Sequence, residues 1–570
     1  MYPSELLFHF MKRNYLFFLF VFFFSEMTTA QYSRYIISFG DKTKTPFSVN
    51  DPSKFLSPKA IKRRIKQSIA VDETDLPIVP RYVDSIRSSG NVAIIDYSKW
   101  FNQVCIETTD AAALAKISKL PFVVNALPVK RFMRQNVIEK NKFNEQINNI
   151  ATTLSPEPPG NYYTYGNSFD QIHIHKGEYL HNKGFRGEGM LIAIIDAGFY
   201  HYKTLPVFDS VRHNKQIIET YDFVNNEISV DEDNYHGMMC FSIMAADIPN
   251  QLVGSSPKAD YLLYRSEDVS SESPVEEQYW IAAAERADSI GADIISTSLG
   301  YNTFDNPTFN YTYDDMNGHT TLIAKAATLA AKKGMIVAAA AGNEGNNPWH
   351  FISTPGDADS VLTVGAVDGT GTVAGFSSYG PSSDGRIKPT VASVGAGTAI
   401  SSVTGQVETG DGTSFASPNL AGLVACLWQA FPELTNMEII DAIKKNSSIY
   451  KTPNDRMGYG IPDFQTTYDS LDQQRTLRNA IKILGNNKIK IYPNPFKNKF
   501  IFLINPEHTA IATFGLYDAG GRLYLEKQVS LQEGVPEIVS FDNFKQLQSG
   551  VYILNFSDGI SSQSFKIISN

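Results

Sequence analysis

A series of apolar runs between residues 166 and 472 limits what this chain can fold into more than any other feature. They are Leu191 to Ile195, Tyr261 to Tyr264, Ile294 to Ser296, Met335 to Ala341 and Val361 to Val367. Helical stretches such as Glu276 to Ile290 and Thr320 to Lys333 lie between them. Continuous apolar strands alternating with helices imply a sheet buried on both faces, which calls for parallel strands covered by helices. The expected class is α/β. Sites in such sheets lie at the carboxyl ends of the strands, so the loops after these runs should hold the chemistry.

At 570 residues the chain is too long for one core, and two to four domains are expected. Residues 31 to about 135 alternate short strands and helices, which suggests a small α+β domain. Residues 136 to 165 are polar and contain Pro156, Pro158, Pro159 and Gly160; they read as an exposed linker and processing region. After residues 166–472 comes a second linker, 473–487. From Lys488 onward, short alternating runs separated by turns predict a β-sandwich over 488–570, with Asp518-Ala519-Gly520-Gly521 as a hairpin signal. At the N-terminus, Lys12 and Arg13 precede an apolar stretch, Tyr15 to Phe24, and then Thr28-Thr29-Ala30. This is the pattern of a signal peptide, residues 1–30, and predicts export.

Composition narrows the function. The net charge of -9 argues against a nucleic-acid surface. Cys105, Cys240 and Cys426 are far apart and odd in number, against both a disulfide framework and a Cys-based metal site. His173, His175 and His181 form a weak candidate metal cluster, and no Asp-rich loop has convincing calcium spacing.

Ser414 is the strongest candidate for chemistry. It lies in Gly412-Thr413-Ser414-Phe415-Ala416-Ser417-Pro418 and opens an apolar helical run from Phe415 to Ala430. A helix N-terminus favours developing negative charge, and Gly412 is expected to permit a tight turn. A serine nucleophile needs a base, an orienting carboxylate and an oxyanion donor. Asp196 ends the Leu191–Ile195 run, and a carboxylate there could hold an imidazole in one tautomer. His236 precedes Gly237 and an apolar helix, Met238 to Ala246. Asn343, in Ala340-Ala341-Gly342-Asn343-Glu344-Gly345, directly follows a strand and carries a neutral N–H₂ donor. Each alone has an ordinary alternative: a loop Asp, a surface His, a turn Asn.

Together, Ile194-Ile195-Asp196-Ala197-Gly198, His236-Gly237, Ala341-Gly342-Asn343-Glu344-Gly345 and the heptapeptide around Ser414 resemble the subtilisin-like serine peptidases, or subtilases. The order Asp, His, Ser is the one known for that family. The resemblance implies a subtilisin-like catalytic domain with Ser414 as nucleophile, His236 as general base and acid, Asp196 as orienter and Asn343 as oxyanion donor. It also implies that Ser298-Leu299-Gly300 pairs with an extended peptide substrate, with Ala341 and Gly342 in the pocket wall. No cofactor is required for catalysis; structural calcium is possible but not evident. Met238, where the family usually has Thr, and Phe415, where Met is commoner, are expected to alter packing only.

Residues 31 to about 135 resemble the inhibitory propeptide of subtilases, which predicts a zymogen that processes itself between Lys130 and Gly160. The C-terminal segment carries Ile491-Tyr492-Pro493-Asn494-Pro495-Phe496, Leu516-Tyr517-Asp518, Gly521-Arg522 and Gly550-Val551-Tyr552-Ile553-Leu554. It is similar to the sorting domains of the type IX secretion system. The expected partners are protein or peptide substrates, the chain's own propeptide and the secretion machinery, with no nucleic acid. The expected product is a secreted or surface-held serine endopeptidase. A catalytically dead binding protein would lack a triad residue, and an esterase would carry a G-x-S-x-G elbow in another chain order.

Overall fold

The computed structural model describes residues 32–131, 143, 145–148, 156–485, 487–542, 544 and 547–570. The signal-peptide region, residues 1–30, and much of the expected processing region lie outside them.

The central sheet has seven strands, in the order Val391–Val394, Leu362–Val367, Ile336–Ala340, Ile294–Thr297, Leu191–Asp196, Asp260–Arg265 and Ile217–Asp222. Every neighbouring pair is parallel. The reason is visible in Leu191–Asp196, where every residue is buried. Ile192 and Ile194 pack into one apolar cluster, and Leu191, Ala193 and Ile195 into the other. Side chains alternate across a strand, so a strand with a core on both faces must be apolar throughout. The helix Thr413–Ala430 fills the first cluster. The helices Val275–Ile290 and Leu322–Lys332 fill the second.

The N-terminal unit is a four-stranded antiparallel sheet, in the order Ala93–Ser98, Gln103–Glu107, Tyr32–Phe39 and Val123–Arg131. One face packs Ile37, Val104 and Ile106 on its own helices through Tyr82, Ile86 and Ile117. The other face carries Ile36, Cys105 and Val129 into the central-sheet domain's second cluster, together with Trp100. Polar contacts follow the same interface. Glu285 accepts from the backbone N–H of Lys99 at 2.7 Å and of Trp100 at 3.0 Å. Gln278 donates to Asp96 at 2.7 Å and accepts from Gln103 at 2.6 Å. Arg63 and Arg64, both buried, pair with the fully buried Asp288.

Two stretches read as linkers are structured. Within 136–165, Gln146–Asn148 is a strand on the edge of Val407–Asp411, and Tyr163 and Tyr165 are buried. Residues 473–484 belong to one helix, Phe464–Leu484. Its early turns bury Phe464 and Leu471 in the first cluster of the central-sheet domain, and its last turns bury Ala480 and Leu484 against Leu503 of the C-terminal domain. That domain is built from a three-stranded and a four-stranded sheet around Phe500, Phe502, Phe514, Phe541 and Phe556. Asp518 to Gly521 turns the hairpin between Ala510–Asp518 and Leu523–Leu531, with Gly521 at φ +84°. The strand Glu537–Phe541 pairs with Phe500–Ile504 in the three-stranded sheet.

Candidate active site

The three expected catalytic side chains converge at the carboxyl end of the central sheet. Asp196 closes its strand and is fully buried. His236 is the first residue of the helix His236–Ala245. Its Nδ1 lies 2.7 Å from Asp196 Oδ1, which also accepts from the N–H of Ala197 at 2.7 Å. The glycine after the histidine makes this approach possible. A Cβ on Gly237 would come within 2.5 Å of the Gly198 carbonyl oxygen and 2.8 Å of Asp196 Cβ. The helix start can reach the strand end only because that methyl group is missing.

Ser414 sits in the first turn of Thr413–Ala430 and is 4% exposed. Its carbonyl oxygen accepts from Ser298 Oγ at 2.8 Å and from the Cys240 thiol at 3.3 Å. These contacts lock the Ser414 turn to the Ser298–Gly300 segment and to the histidine helix. Gly412 departs from expectation. Its φ of 172° is extended backbone open to any residue, so the requirement is space: a Cβ there would lie 2.9 Å from Glu145 Cγ and 3.5 Å from Asn343 Nδ2.

Asn343 is oriented by Thr413, a residue the sequence reading did not single out. Asn343 Oδ1 accepts from the Thr413 N–H at 2.8 Å and from its hydroxyl at 2.9 Å. With its oxygen held this way, the amide turns Nδ2 toward Ser414's side of the cleft. Thr413 Oγ1 also accepts from the Gly342 N–H at 3.1 Å. The threonine in the Gly-Thr-Ser string was the available signal.

A cavity of about 590 Å³ opens beside Ser414. Ser298, Leu299, Gly300, Ala340, Gly342, Asn343 and Ser353 line it, with Glu267 and Glu272 at one side. Ala341 is not part of this lining; it is fully buried, and its carbonyl accepts from the Ser353 N–H at 3.3 Å. Phe415 and Met238 are both fully buried, in keeping with packing roles. The Phe415 ring occupies the space a Cβ on Gly410 would need, 2.4 Å away.

The structure places Glu145 in the middle of this constellation. Its Oε1 accepts from Ser414 Oγ at 2.8 Å and lies 3.3 Å from His236 Nε2 and 3.4 Å from Asn343 Nδ2. Burial alone would push the His236 imidazole down. The carboxylates of Asp196 and Glu145 outweigh it and hold the ring up at about 10. Burial raises Glu145, and the charge of His236 with hydrogen bonds from His236 and Ser414 reverses this, leaving it below its usual range. Each charge stabilises the other.

The histidines considered as a metal cluster have separate partners. His173 meets Glu178 at 2.6 Å. His175 meets the Pro462 carbonyl and Ser393, and His181 meets Tyr165 and the Ser255 carbonyl. Burial pushes both His175 and His181 down to about 4. In the acidic loop at 231–233, Asp233 is bridged to Asp222 by the Arg265 guanidinium, at 2.9 and 2.7 Å. Among the described residues, the ligand-type side chains that converge closely enough to hold an ion are Asp196, His236 and Cys240.

Comparison with known proteins finds matches to three regions of the chain. Residues 187–460 match the Subtilase family, peptidase S8. Residues 34–148 match the peptidase S8 propeptide domain of Bacteroidota, so the match runs beyond residue 135 and includes the Gln146–Asn148 strand. Residues 490–570 match a secretion system C-terminal sorting domain. The chain is 33% identical over 264 residues to a thermophilic serine proteinase of Bacillus sp. strain AK1, covering 45% of this chain and 56% of that one. It is 29% identical over 294 residues to serine protease AprX of Bacillus subtilis strain 168, covering 46% and 62%. It is 27% identical over 277 residues to subtilisin E of the same strain, covering 48% and 64%. The chain thus spans somewhat over half the length of these relatives.

Proposed function

We propose that this chain, whose residues 187–460 match the subtilase family, with a matched propeptide domain before them and a matched sorting domain after, is a secreted serine endopeptidase made as a self-processing zymogen. Ser414 attacks the scissile carbonyl carbon while His236 Nε2 takes its proton. Asp196 holds the ring with Nδ1 as donor and stabilises the imidazolium. The carbonyl oxygen becomes an oxyanion and accepts from Asn343 Nδ2, a contact worth about 3 kcal/mol in the transition state. The imidazolium then gives its proton to the leaving amine, which departs and leaves an acyl group on Ser414 Oγ. Water, deprotonated by His236, attacks the acyl carbon, and Ser414 recovers its proton as the acid leaves. These side chains carry the reaction without a cofactor.

One observation carries this reading. A single oxygen position, now held by Glu145 Oε1, is within reach of nucleophile, base and oxyanion donor at once. The substrates are proteins or peptides bound extended along Ser298–Gly300. The sorting domain supports export to the cell surface or medium through the secretion machinery that such domains address.

The test is fluorophosphonate labelling of the purified mature protein. Labelling that disappears in Ser414→Ala is the expected result. A folded, mature protein that resists the probe would overturn the mechanism.

A further inference from the structure

The segment carrying Glu145 lies past the folded propeptide sheet, which ends at Arg131. Three independent contacts hold it in the cleft. The Phe143 ring stacks on His236, with centroids 3.8 Å apart and planes 12° from parallel. The Glu145 carboxylate meets Ser414, His236 and Asn343 through one oxygen. Gln146, Ile147 and Asn148 then pair antiparallel with Asp411, Gly410 and Thr409. The motif's own glycine makes room, since any Cβ on Gly412 would collide with Glu145 Cγ.

We infer that Glu145 is a plug: its side-chain carboxylate occupies the catalytic centre in the uncleaved chain and blocks it in a form that Ser414 cannot cut. This rests on the peptidase reading above. The group presented to the nucleophile is a side-chain carboxylate, bonded to Cγ, with no amide to expel. Ser414 spends its hydroxyl hydrogen on that carboxylate, and Asn343 spends its N–H there. His236 is faced by Asp196, Glu145, the Cys240 thiol and the rings of Phe143 and Phe415. Two carboxylates against one imidazole keep the ring cationic, and an imidazolium cannot accept the serine proton. The plug therefore blocks all three catalytic functions at one point. Activation requires the 143–148 segment to leave, not merely the folded sheet to detach.

The test uses the full chain carrying Glu145→Ala or Glu145→Gln, with mature wild-type enzyme as control. For the uncleaved chain, fluorophosphonate labelling and self-cleavage are timed after refolding. The expected result is that Glu145→Ala labels or self-cleaves on the order of tenfold faster than wild type, the factor that one charge-assisted hydrogen bond represents. A second measurement does not depend on activity. In uncleaved Ser414→Ala, NMR of the His236 ring should show it cationic at pH 8, and Glu145→Gln should shift its titration to lower pH. Unchanged labelling, unchanged self-cleavage and an unchanged ring titration would overturn the plug. Failure of the mature wild-type control to label would instead overturn the peptidase reading, leaving the ring titration to decide the plug separately.

Discussion

Replacing Thr413 by valine removes a hydroxyl that is bonded to Asn343 and Gly342, and should slow the reaction. That hydroxyl makes one of two hydrogen bonds to Asn343 Oδ1 from Thr413, at 2.9 Å, and the N–H at 2.8 Å survives the substitution. It also leaves the Gly342 N–H without its 3.1 Å acceptor. One neutral hydrogen bond contributes about 1 kcal/mol net, so the oriented amide should lose about that much of the roughly 3 kcal/mol an oxyanion donor supplies. At 1.4 kcal/mol per tenfold, kcat should fall about fivefold in the mature enzyme, with KM little changed because the contact strengthens only in the transition state. Asn343→Ala should cost about 10² to 10³. The assay is steady-state hydrolysis of a peptide substrate by both single variants and the double variant. If Thr413 acts only through Asn343, the double variant matches Asn343→Ala. A double variant slower by the product of both single effects, or a fully active Thr413→Val, would refute the reasoning.

Two further outcomes are expected. Arg64→Ala removes a guanidinium that meets Asp75 at 2.8 Å and Asp288 at 2.9 Å in a buried setting. Leaving the Asp288 charge undercompensated should destabilise the uncleaved chain by about 3 kcal/mol, read as a lowered denaturant midpoint; an unchanged midpoint would count against the interface. The His236–Glu145 pair also sets a pH window for the uncleaved Ser414→Ala chain. His236 is raised, so its stabilisation is complete below its unfolded value near 6.5 and lost as pH rises through about 10. Glu145 is lowered, so its share is present above about 4.3 and lost on acidification. Thermal melting should therefore be highest between those limits and fall on both sides, and Glu145→Gln should flatten the curve.

The candidate site residues were legible in the sequence because each is tied to a local event: a strand end at Asp196, helix starts at His236 and Ser414, a Gly-flanked turn at Asn343. Thr413 was visible but silent, because its value lies in a bond to a residue 70 positions away. Glu145 gave no signal at all. Its environment is polar, and its position depends on pairing with Val407–Asp411, which no local pattern encodes. The 473–484 stretch was misread for another reason. Leu477, Ala480, Ile481 and Leu484 do recur at helical spacing, but the charged residues among them resembled a linker. Gly412 shows that a correct residue can be chosen for the wrong cause: backbone angle was expected, and side-chain clearance is what the site demands.

The helix Phe464–Leu484 ties the sorting domain to the enzyme mechanically. Its 21 residues make a strut of about 30 Å, seated at one end in the peptidase core and at the other against Leu503. A pull applied to the C-terminal domain is borne by that strut and passed to the packing around Phe464 and Leu471. A cut that freed the enzyme from its sorting domain would need extended backbone, which the helix withholds. Release with the peptidase core left intact would therefore fall after Leu484, where the helix ends.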